Sequence, residues 1–459
     1  MQSLVNLSNL LIKPRNHASC WFVQNFNSWV KAIRNAPSPH EALGIYCQMQ
    51  RQSVRFDSFS MLLTLKSCTQ LKNDAVIQHL HAHILKLGFR SDLYVASALL
   101  SARSIASLED ACVLFDEMPD KNTVTWNIMI SGYLRSGDVK GARLVFEEMP
   151  LRDIASFSAM ISGYVQNGNH KHALLLFRSM VMNENEGIRP DGGIAVSVLS
   201  SCAHMGTHGL LLGKSVHGFM VKNHWELNVE LGTTLVDMYA KCRSLKGAAR
   251  VFELMQERSV TSWTALICGS AQHGCSRAAF SLFGKMQQAG MRPSEQTFTG
   301  ILSACMHKGL VEEGRKYFKL MEESGLEPTI QHYGCMVHLY CRAGLLEEAY
   351  EVIKKMRLEP DIYVWESFLS ACMKHKRYEM AERVAEQAMK MVKPGNDDRL
   401  YSLISDLYAL GGKWDDADRV RNLMVKQNID RNNNTLCFDC HTILLEFGPI
   451  VGCSNLIEE

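Results

Sequence analysis

The stretch LFDEMPDKNTVTWN, Leu114–Asn127, decides the fold, because a near-copy follows it 31 residues later. The copy is VFEEMPLRDIASFS, Val145–Ser158, which keeps the phenylalanine, methionine and proline in place. A third version, VFELMQERSVTSWT, occupies Val251–Thr264. Recurrence with a period of about 20–50 residues marks a repeat architecture. We therefore expect stacked units rather than one compact globule.

Each unit has the pattern of two helices. The first helix carries apolar residues at i, i+3, i+4 and i+7, the stripe of an amphipathic helix: Trp126, Met129, Ile130 and Tyr133. A Ser-Gly-Asp turn ends it, and Pro150 ends the second helix. Neither helix can bury its stripe alone, so neighbouring units must stack. The predicted fold class is all-α, a right-handed α-solenoid superhelix of stacked two-helix repeats.

The overall composition restricts the function only weakly. The chain has 49 basic and 47 acidic residues, so its net charge is +2 and any electrostatic footprint of a nucleic-acid ligand must be local. No apolar run reaches the roughly 18–20 residues that a bilayer-spanning helix needs, so no membrane association is expected. Residues 1–40 contain no Asp or Glu, and the leader 1–25 therefore has the composition of an organellar transit peptide. A solvated terminus is the alternative.

The 15 cysteines are scattered singly, which favours reduced thiols over a disulfide framework. Four of them end a recurring segment of the type LLTLKSC or TGILSAC: Cys68, Cys202, Cys305 and Cys372. This set could be taken for a metal site. Because each occupies the same inward slot of a separate unit, we expect all four to pack as small apolar residues.

The motifs VTWN…ISGY…VFEEMP, AKCRSLKGAARVFELM and ILSACMHKGLVEEGRKYF strongly resemble plant pentatricopeptide-repeat proteins of the PLS class. Tetratricopeptide repeats, the alternative, require a fixed 34-residue period that this chain lacks. The resemblance implies about ten repeats over 26–361, an E region of two repeat-like hairpins over 362–429, and a short degenerate tail over 430–459. The repeat boundaries in this register are 26–57, 58–92, 93–122, 123–153, 154–191, 192–228, 229–259, 260–294, 295–329 and 330–361.

The resemblance further implies binding of single-stranded organellar RNA, one base per repeat, a mode in which two or three side chains of a repeat read each base. In this family the fifth residue of a repeat and its last residue specify the base. The predicted pairs are Ser97 with Asn122 for adenine, Asn127 with Asp153 for uracil with cytosine tolerated, Ser158 with Asp191 for guanine, Thr233 with Ser259, and Thr264 with Ser294. The first three pairs are consecutive and predict the core 5′-A-(U/C)-G-3′.

The second residue of a repeat is expected to lie against the base face. These residues are Tyr94, Val124, Ala155 and Thr261, whereas Glu230 is unfavourable next to phosphates. The long repeats offer Leu62 and Val196 as fifth residues, and neither can hydrogen-bond a base. We therefore expect the long repeats to space or stack bases rather than specify them.

The tail segment CFDCH, Cys437–His441, resembles the metal-binding half-site of a cytidine deaminase. A deaminase zinc site also needs a His-x-Glu segment closely upstream, and none lies between 362 and 437. We therefore predict no catalytic residue, no metal and no cofactor in this chain, which is not expected to be an enzyme. The E region would instead recruit a deaminase or an editing accessory protein in trans.

The function predicted from the resemblance is site recognition for C-to-U editing of organellar RNA, with the mitochondrion favoured over the chloroplast. One alternative is an RNA-binding factor for organellar splicing, transcript stability or translation. A second alternative, of another class, is a helical scaffold that binds only protein. Polar fifth residues disfavour the scaffold, because a purely structural helix face has no need of them.

Overall fold

A computed structural model describes residues 26–182, 187–391 and 398–426. In these three ranges the chain forms α-helices and short 3-10 turns, without a β-strand. It divides into two compact bodies: the N-terminal body, up to Ser201, and the C-terminal body, from Cys202. The predicted all-α architecture of stacked two-helix repeats is confirmed.

The N-terminal body is built from helical hairpins, in which odd-numbered helices are the first helix of a repeat and even-numbered helices the second. Its helices are α1 Phe26–Arg34, α2 Pro39–Arg51, α3 Ser58–Leu71, α4 Asp74–Lys86, α5 Leu93–Ala106, α6 Leu108–Glu117, α7 Thr123–Arg135, α8 Val139–Glu148, α9 Ile154–Gln166, α10 His170–Met182 and α11 Gly192–His204, the last of which runs into the C-terminal body.

The C-terminal body continues the alternation of first and second helices. Its helices are α12 Leu210–Lys222, α13 Val229–Lys241, α14 Leu245–Leu254, α15 Val260–Gln272, α16 Ser276–Gln288, α17 Glu295–Lys308, α18 Val311–Glu323, α19 Ile330–Ala343, α20 Leu346–Lys355, α21 Ile362–Lys374, α22 Tyr378–Met391, α23 Asp398–Leu410 and α24 Trp414–Lys426. Within each body, consecutive first helices pack against each other and against their own second helices.

Aromatic contacts join several repeats to the next. Phe115 on α6 meets Trp126 on α7 edge-on, with ring centroids 4.9 Å apart. The same contact joins Phe146 to Phe157 at 5.2 Å and Phe252 to Trp263 at 4.7 Å. Edge-to-face pairs of this kind contribute about 0.5–1.5 kcal/mol beyond their buried area. Because the aromatic partner is the fourth residue of its repeat, the contact sets the rotation of the first helix.

Glycines let consecutive first helices approach closely. A side chain on Gly163 would place its Cβ 2.2 Å from Leu134 Cδ1, and one on Gly269 would meet Ala240 Cβ at 2.5 Å. Both distances are far below van der Waals contact. The glycine of the recurring ISGY-type segment is therefore required for the close packing of consecutive first helices.

The four recurring cysteines lie in the cores of their repeats, as predicted. Cys68 is 1% exposed, and Cys202, Cys305 and Cys372 are fully buried. Burial raises the pKa of each of these thiols to about 12. Thiols of this kind stay protonated at physiological pH and are poor nucleophiles and metal ligands. Across the described ranges, no helix combines the length and apolarity that crossing a membrane requires.

Candidate nucleic-acid interface

The residues predicted to read RNA all lie at or near the N-terminal turns of first helices. From α3 to α21, each first helix begins one residue after the predicted end of the preceding repeat. The last residue of one repeat therefore sits at the N-cap of the next first helix. The second and fifth residues occupy the first two turns of the repeat's own first helix.

The predicted last residues are all helix N-caps. Each accepts a hydrogen bond from the backbone N–H three residues ahead: Asn122 Oδ1 from Thr125 at 3.0 Å, Asp153 Oδ1 from Ser156 at 2.8 Å, Asp191 Oδ1 from Ile194 at 2.9 Å, Ser259 Oγ from Ser262 at 3.2 Å and Ser294 Oγ from Thr297 at 3.3 Å. Capping by itself favours Ser, Thr, Asp and Asn at this position. The last residue thus has a structural role that sequence reasoning did not assign.

A cation holds the linker that precedes three of these caps. Arg152 lies over the Phe146 ring at 5.0 Å and donates to the carbonyls of Phe146 and Glu147 at 3.1 and 3.0 Å. Arg258 does the same with Phe252 and Glu253. Lys121 repeats the contact over Phe115 at 5.1 Å. These cations satisfy carbonyls at the end of the second helix, and so fix the start of the next repeat.

The second residues point away from the core, as a base-facing role requires. Tyr94 is 79% exposed and Val124 is 52% exposed, and Ala155, Thr261 and Glu230 are exposed as well. Two aromatic side chains at the same position were missed from the sequence. They are Phe59, which lies under the Arg34 guanidinium at 5.3 Å, and Tyr363, which is 56% exposed.

Two of the five predicted fifth residues hold a polar atom that is shielded from solvent and unsatisfied. Asn127 Oδ1 and Thr233 Oγ1 have no hydrogen-bond partner among the described residues. The side chains themselves are half-buried, as is Ser158. Ser97 differs, because it is 9% exposed and its hydroxyl donates to the Leu93 carbonyl of its own helix at 2.6 Å.

The fifth residue Thr264 is engaged by the next repeat. Its Oγ1 lies 2.7 Å from Thr297 Oγ1, the third residue of α17. Thr297 Oγ1 is also 3.0 Å from Ser294 Oγ and accepts the Ser294 backbone N–H at 3.1 Å. The structure therefore brings the predicted pair Thr264 and Ser294 together through one buried threonine hydroxyl.

A second bridge of this type was missed from the sequence. The buried His332, third residue of α19, contacts Thr299 Oγ1 through Nε2 at 3.0 Å and Thr329 Oγ1 through Nδ1 at 2.9 Å. Thr299 and Thr329 are the fifth and last residues of the repeat 295–329. The sequence signal for this bridge was the polar fifth residue Thr299 in a long repeat. The apolar Leu62 and Val196 had led us to expect that long repeats do not specify a base.

No group of three or more His, Cys, Asp or Glu side chains in the described ranges is arranged to hold a metal ion. The CFDCH segment lies outside the described residues, and so does the leader 1–25. The predicted reading residues bring polar atoms together at the helix starts. Their chemistry is that of hydrogen-bond donors and acceptors suited to a neutral polar edge, such as that of a base.

Comparison with known proteins identifies the repeat. A mitochondrial pentatricopeptide repeat-containing protein of Arabidopsis thaliana is 32% identical over 406 residues, covering 88% of this chain and 79% of the relative. The chain belongs to the pentatricopeptide repeat family. Family models described as PPR repeat match residues 124–154, 155–184, 233–260, 296–326 and 324–357, and one described as PPR repeat family matches 258–307.

Further pentatricopeptide repeat relatives are longer than this chain. The chloroplastic protein CRR2 of Arabidopsis thaliana is 34% identical over 444 residues, covering 95% of this chain and 62% of that protein. Other Arabidopsis relatives are matched over 46% to 64% of their length, so the chain spans about half to two thirds of them. The solved structure of the pentatricopeptide repeat protein PPR10 with an 18-nt psaJ RNA element has a TM-score of 0.68 over 86% of this chain and 59% of that chain, at 17% identity. That likeness shows the shared fold.

Proposed function

We propose that this pentatricopeptide repeat chain is a sequence-specific single-stranded RNA-binding protein of an organelle. One observation carries the proposal: the Asn127 amide oxygen and the Thr233 hydroxyl are hidden from water and have no partner among the described residues. Both are fifth residues. In both repeats the last residue, Asp153 or Ser259, caps the helix that follows.

A buried polar atom without a partner costs about 1–3 kcal/mol. A helical scaffold that binds only protein gains nothing from keeping such atoms at the same position of two repeats. An RNA base supplies N–H and carbonyl groups along its edge, and these can pair with the Asn127 amide after the half-buried side chain turns toward it. This position therefore favours RNA binding over the scaffold alternative.

The base assignment follows the pairs of fifth and last residues. Ser97 with Asn122 would read adenine, Asn127 with Asp153 a pyrimidine, and Ser158 with Asp191 guanine, which makes the core 5′-A-(U/C)-G-3′. The N-cap bond of Asp153 uses Oδ1, so the other carboxylate oxygen is left to face a base. Thr233 with Ser259 and Thr264 with Ser294 would favour purines more weakly.

The exposed second residues complete each predicted reading position. Tyr94 offers an aromatic face, and stacking of a base on such a face contributes about 1–3 kcal/mol. Val124, Ala155 and Thr261 offer smaller apolar contacts, and Glu230 would repel phosphate. We expect repeat 93–122 to contribute most to affinity and repeat 229–259 least.

The comparisons support an organellar RNA ligand. PPR10 was solved with an RNA element, and relatives of this chain carry mitochondrial and chloroplastic names. The two names together give no preference for the mitochondrion. Within the organelle, the proposed role is site recognition for C-to-U editing, in which the helices of 362–429 recruit a deaminase in trans. The alternative roles are splicing, transcript stability and translation.

A binding measurement tests the RNA ligand. Short RNAs carrying the core A-U-G are compared with scrambled RNAs of the same composition at one salt concentration, because phosphate contacts make all affinities depend on salt. Each mismatched base is expected to weaken binding about tenfold. Equal affinity for core and scrambled RNAs would leave the fifth residues without a reading role.

A genetic measurement separates the organellar roles. Transcripts of both organelles are sequenced in a line that lacks the protein. Loss of conversion at single cytidines supports editing. Unchanged conversion together with unspliced or missing transcripts supports the alternative RNA-binding roles and contradicts editing.

A further inference from the structure

A hydrogen-bonded triad joins Thr299 and Thr329 of repeat 295–329 to His332 of the next repeat. The imidazole of His332 is fully buried. Its Nδ1 lies 3.0 Å from the backbone nitrogen of Thr329, and its Nε2 lies 2.8 Å from the carbonyl oxygen of Glu295. The Nε2 atom is also 3.0 Å from Thr299 Oγ1, and the Thr299 side chain is half-exposed.

These neighbours determine the tautomer of His332. A backbone N–H can only donate, so Nδ1 facing the Thr329 amide must be the acceptor and carries no proton. The ring proton of the neutral imidazole is therefore on Nε2. It points to the Glu295 carbonyl oxygen and to Thr299 Oγ1, both of which can accept it.

The tautomer in turn sets what Thr299 can offer a ligand. The Thr299 hydroxyl donates its own proton to the Glu295 carbonyl at 3.1 Å. With that proton engaged and one lone pair facing His332, the hydroxyl oxygen has one lone pair left. Thr299 is thus an acceptor toward solvent. In the repeat before it, Thr264 and Thr297 are both hydroxyls that can reverse their proton direction, so no such polarity is set there.

We propose that repeat 295–329 selects an RNA base through Thr299 as a fixed acceptor, with His332 as its positioning residue. The inference rests on the proposed RNA binding, and it assigns a reading role to a long repeat. An acceptor favours the exocyclic amino group of adenine or cytosine and disfavours the carbonyl oxygen that guanine and uracil carry at the same place. The ligand of this site is an amino base within the bound single strand.

The test uses the full chain and RNAs that share the core A-U-G. With one base per repeat, the nucleotide facing 295–329 is the fourth on the 3′ side of the guanine, and it is varied as A, C, G or U. The A and C RNAs are expected to bind about fivefold more tightly than the G and U RNAs, the effect of one hydrogen bond. No preference, or a preference for G and U, would overturn the proposal when core discrimination is retained.

Two variants locate the effect. His332→Ser keeps a side chain that can close the cap, as Ser156 and Ser262 do in their repeats, and is expected to bring the amino-to-keto ratio near one. Thr299→Val should do the same without touching the cap. A Thr299→Val protein that keeps the ratio would disprove the reading role even if His332→Ser fails to fold.

A matched control and a separate readout distinguish the two proposals. Ser156→Ala disturbs an equivalent cap in another repeat and should leave the ratio at the fourth nucleotide unchanged. Loss of discrimination at the core A-U-G would count against the proposed RNA recognition as a whole. Intact core discrimination with an unchanged ratio in His332→Ser would count only against His332.

Discussion

Four polar fifth residues of this chain fall into two groups. In repeats 123–153 and 229–259 the fifth residues Asn127 and Thr233 hold a hidden polar atom without a partner. In repeats 260–294 and 295–329 the fifth residues Thr264 and Thr299 are bonded to the third residue of the next repeat. We call the first two positions open and the last two bridged.

The third residue of the following repeat makes the difference. After the open positions it is a serine, whose short side chain closes its own capping box: Ser156 bonds Asp153 and Ser262 bonds Ser259. After the bridged positions it is Thr297 or His332. In these four repeats, one side chain of the neighbouring repeat thus determines whether the fifth residue makes a hydrogen bond inside the protein. A threonine at the fifth position can therefore stabilise one repeat, as Thr264 does, and destabilise another, as Thr233 does.

The largest effect is expected at the centre of a bridge. Thr297→Val removes a fully buried hydroxyl that bonds Thr264 and Ser294, and it leaves the Ser294 N–H without its acceptor. The free energy of unfolding should fall by about 2 kcal/mol, measured by urea denaturation of the full chain. The exposed Thr261→Val serves as the control and should change stability by less than about 0.5 kcal/mol. Equal losses in the two variants would refute the bridge.

A smaller loss is expected where one residue has two roles. Asp153→Ala removes the N-cap of α9 and should lower stability by about 1 kcal/mol. Asp153→Ser restores a capping oxygen, so thermal unfolding should return close to that of the parent protein. RNA affinity at the corresponding nucleotide should fall in both variants, because the carboxylate is gone from both. Recovery of RNA affinity in Asp153→Ser would show that capping alone explains this position.

Two isosteric Thr→Val substitutions test whether bridged and open positions change the free energy of unfolding in opposite directions. Thr264→Val loses the 2.7 Å contact to Thr297 and should destabilise the protein by about 1 kcal/mol. Thr233→Val removes an unsatisfied hydroxyl and should stabilise it by about 0.5 kcal/mol, since the half-buried side chain loses no bond. Chemical denaturation of both variants under identical conditions measures the difference. Two changes of the same sign would contradict the division into open and bridged positions.

Much of the fold could be predicted from the sequence, because the residues that build one repeat recur at equivalent positions of other repeats. The aromatic fourth residue and the glycine of the ISGY segment recur in several repeats, and each satisfies a packing requirement there. The exposure of Tyr94 and Val124 agrees with the role of second residue that the family resemblance implied. These features can be predicted without knowing which side chains of another repeat they contact.

The bridges could not be predicted, because they depend on the reach of one side chain toward another repeat. Thr297 and Ser262 occupy equivalent positions and differ by a methyl group, yet only Thr297 contacts the preceding fifth residue. The capping role of the last residues was a different kind of omission. A Ser, Thr, Asp or Asn before a helical pattern is itself a start signal, and it was interpreted only as a base contact.

The smallest stability change, and the sharpest test of an open position, is expected for Asn127→Ser. The side chain lies off the apolar stripe of α7, and its amide oxygen bonds no described residue. The free energy of unfolding should therefore change by less than about 0.5 kcal/mol. The preference at the second nucleotide of the core should shift from pyrimidine toward purine, because a hydroxyl replaces an amide, as in Ser158 of the next repeat. RNA binding with each of the four bases at that nucleotide measures this shift. A stability loss of several kcal/mol would instead place Asn127 in the core and remove the distinction between its repeat and the bridged ones.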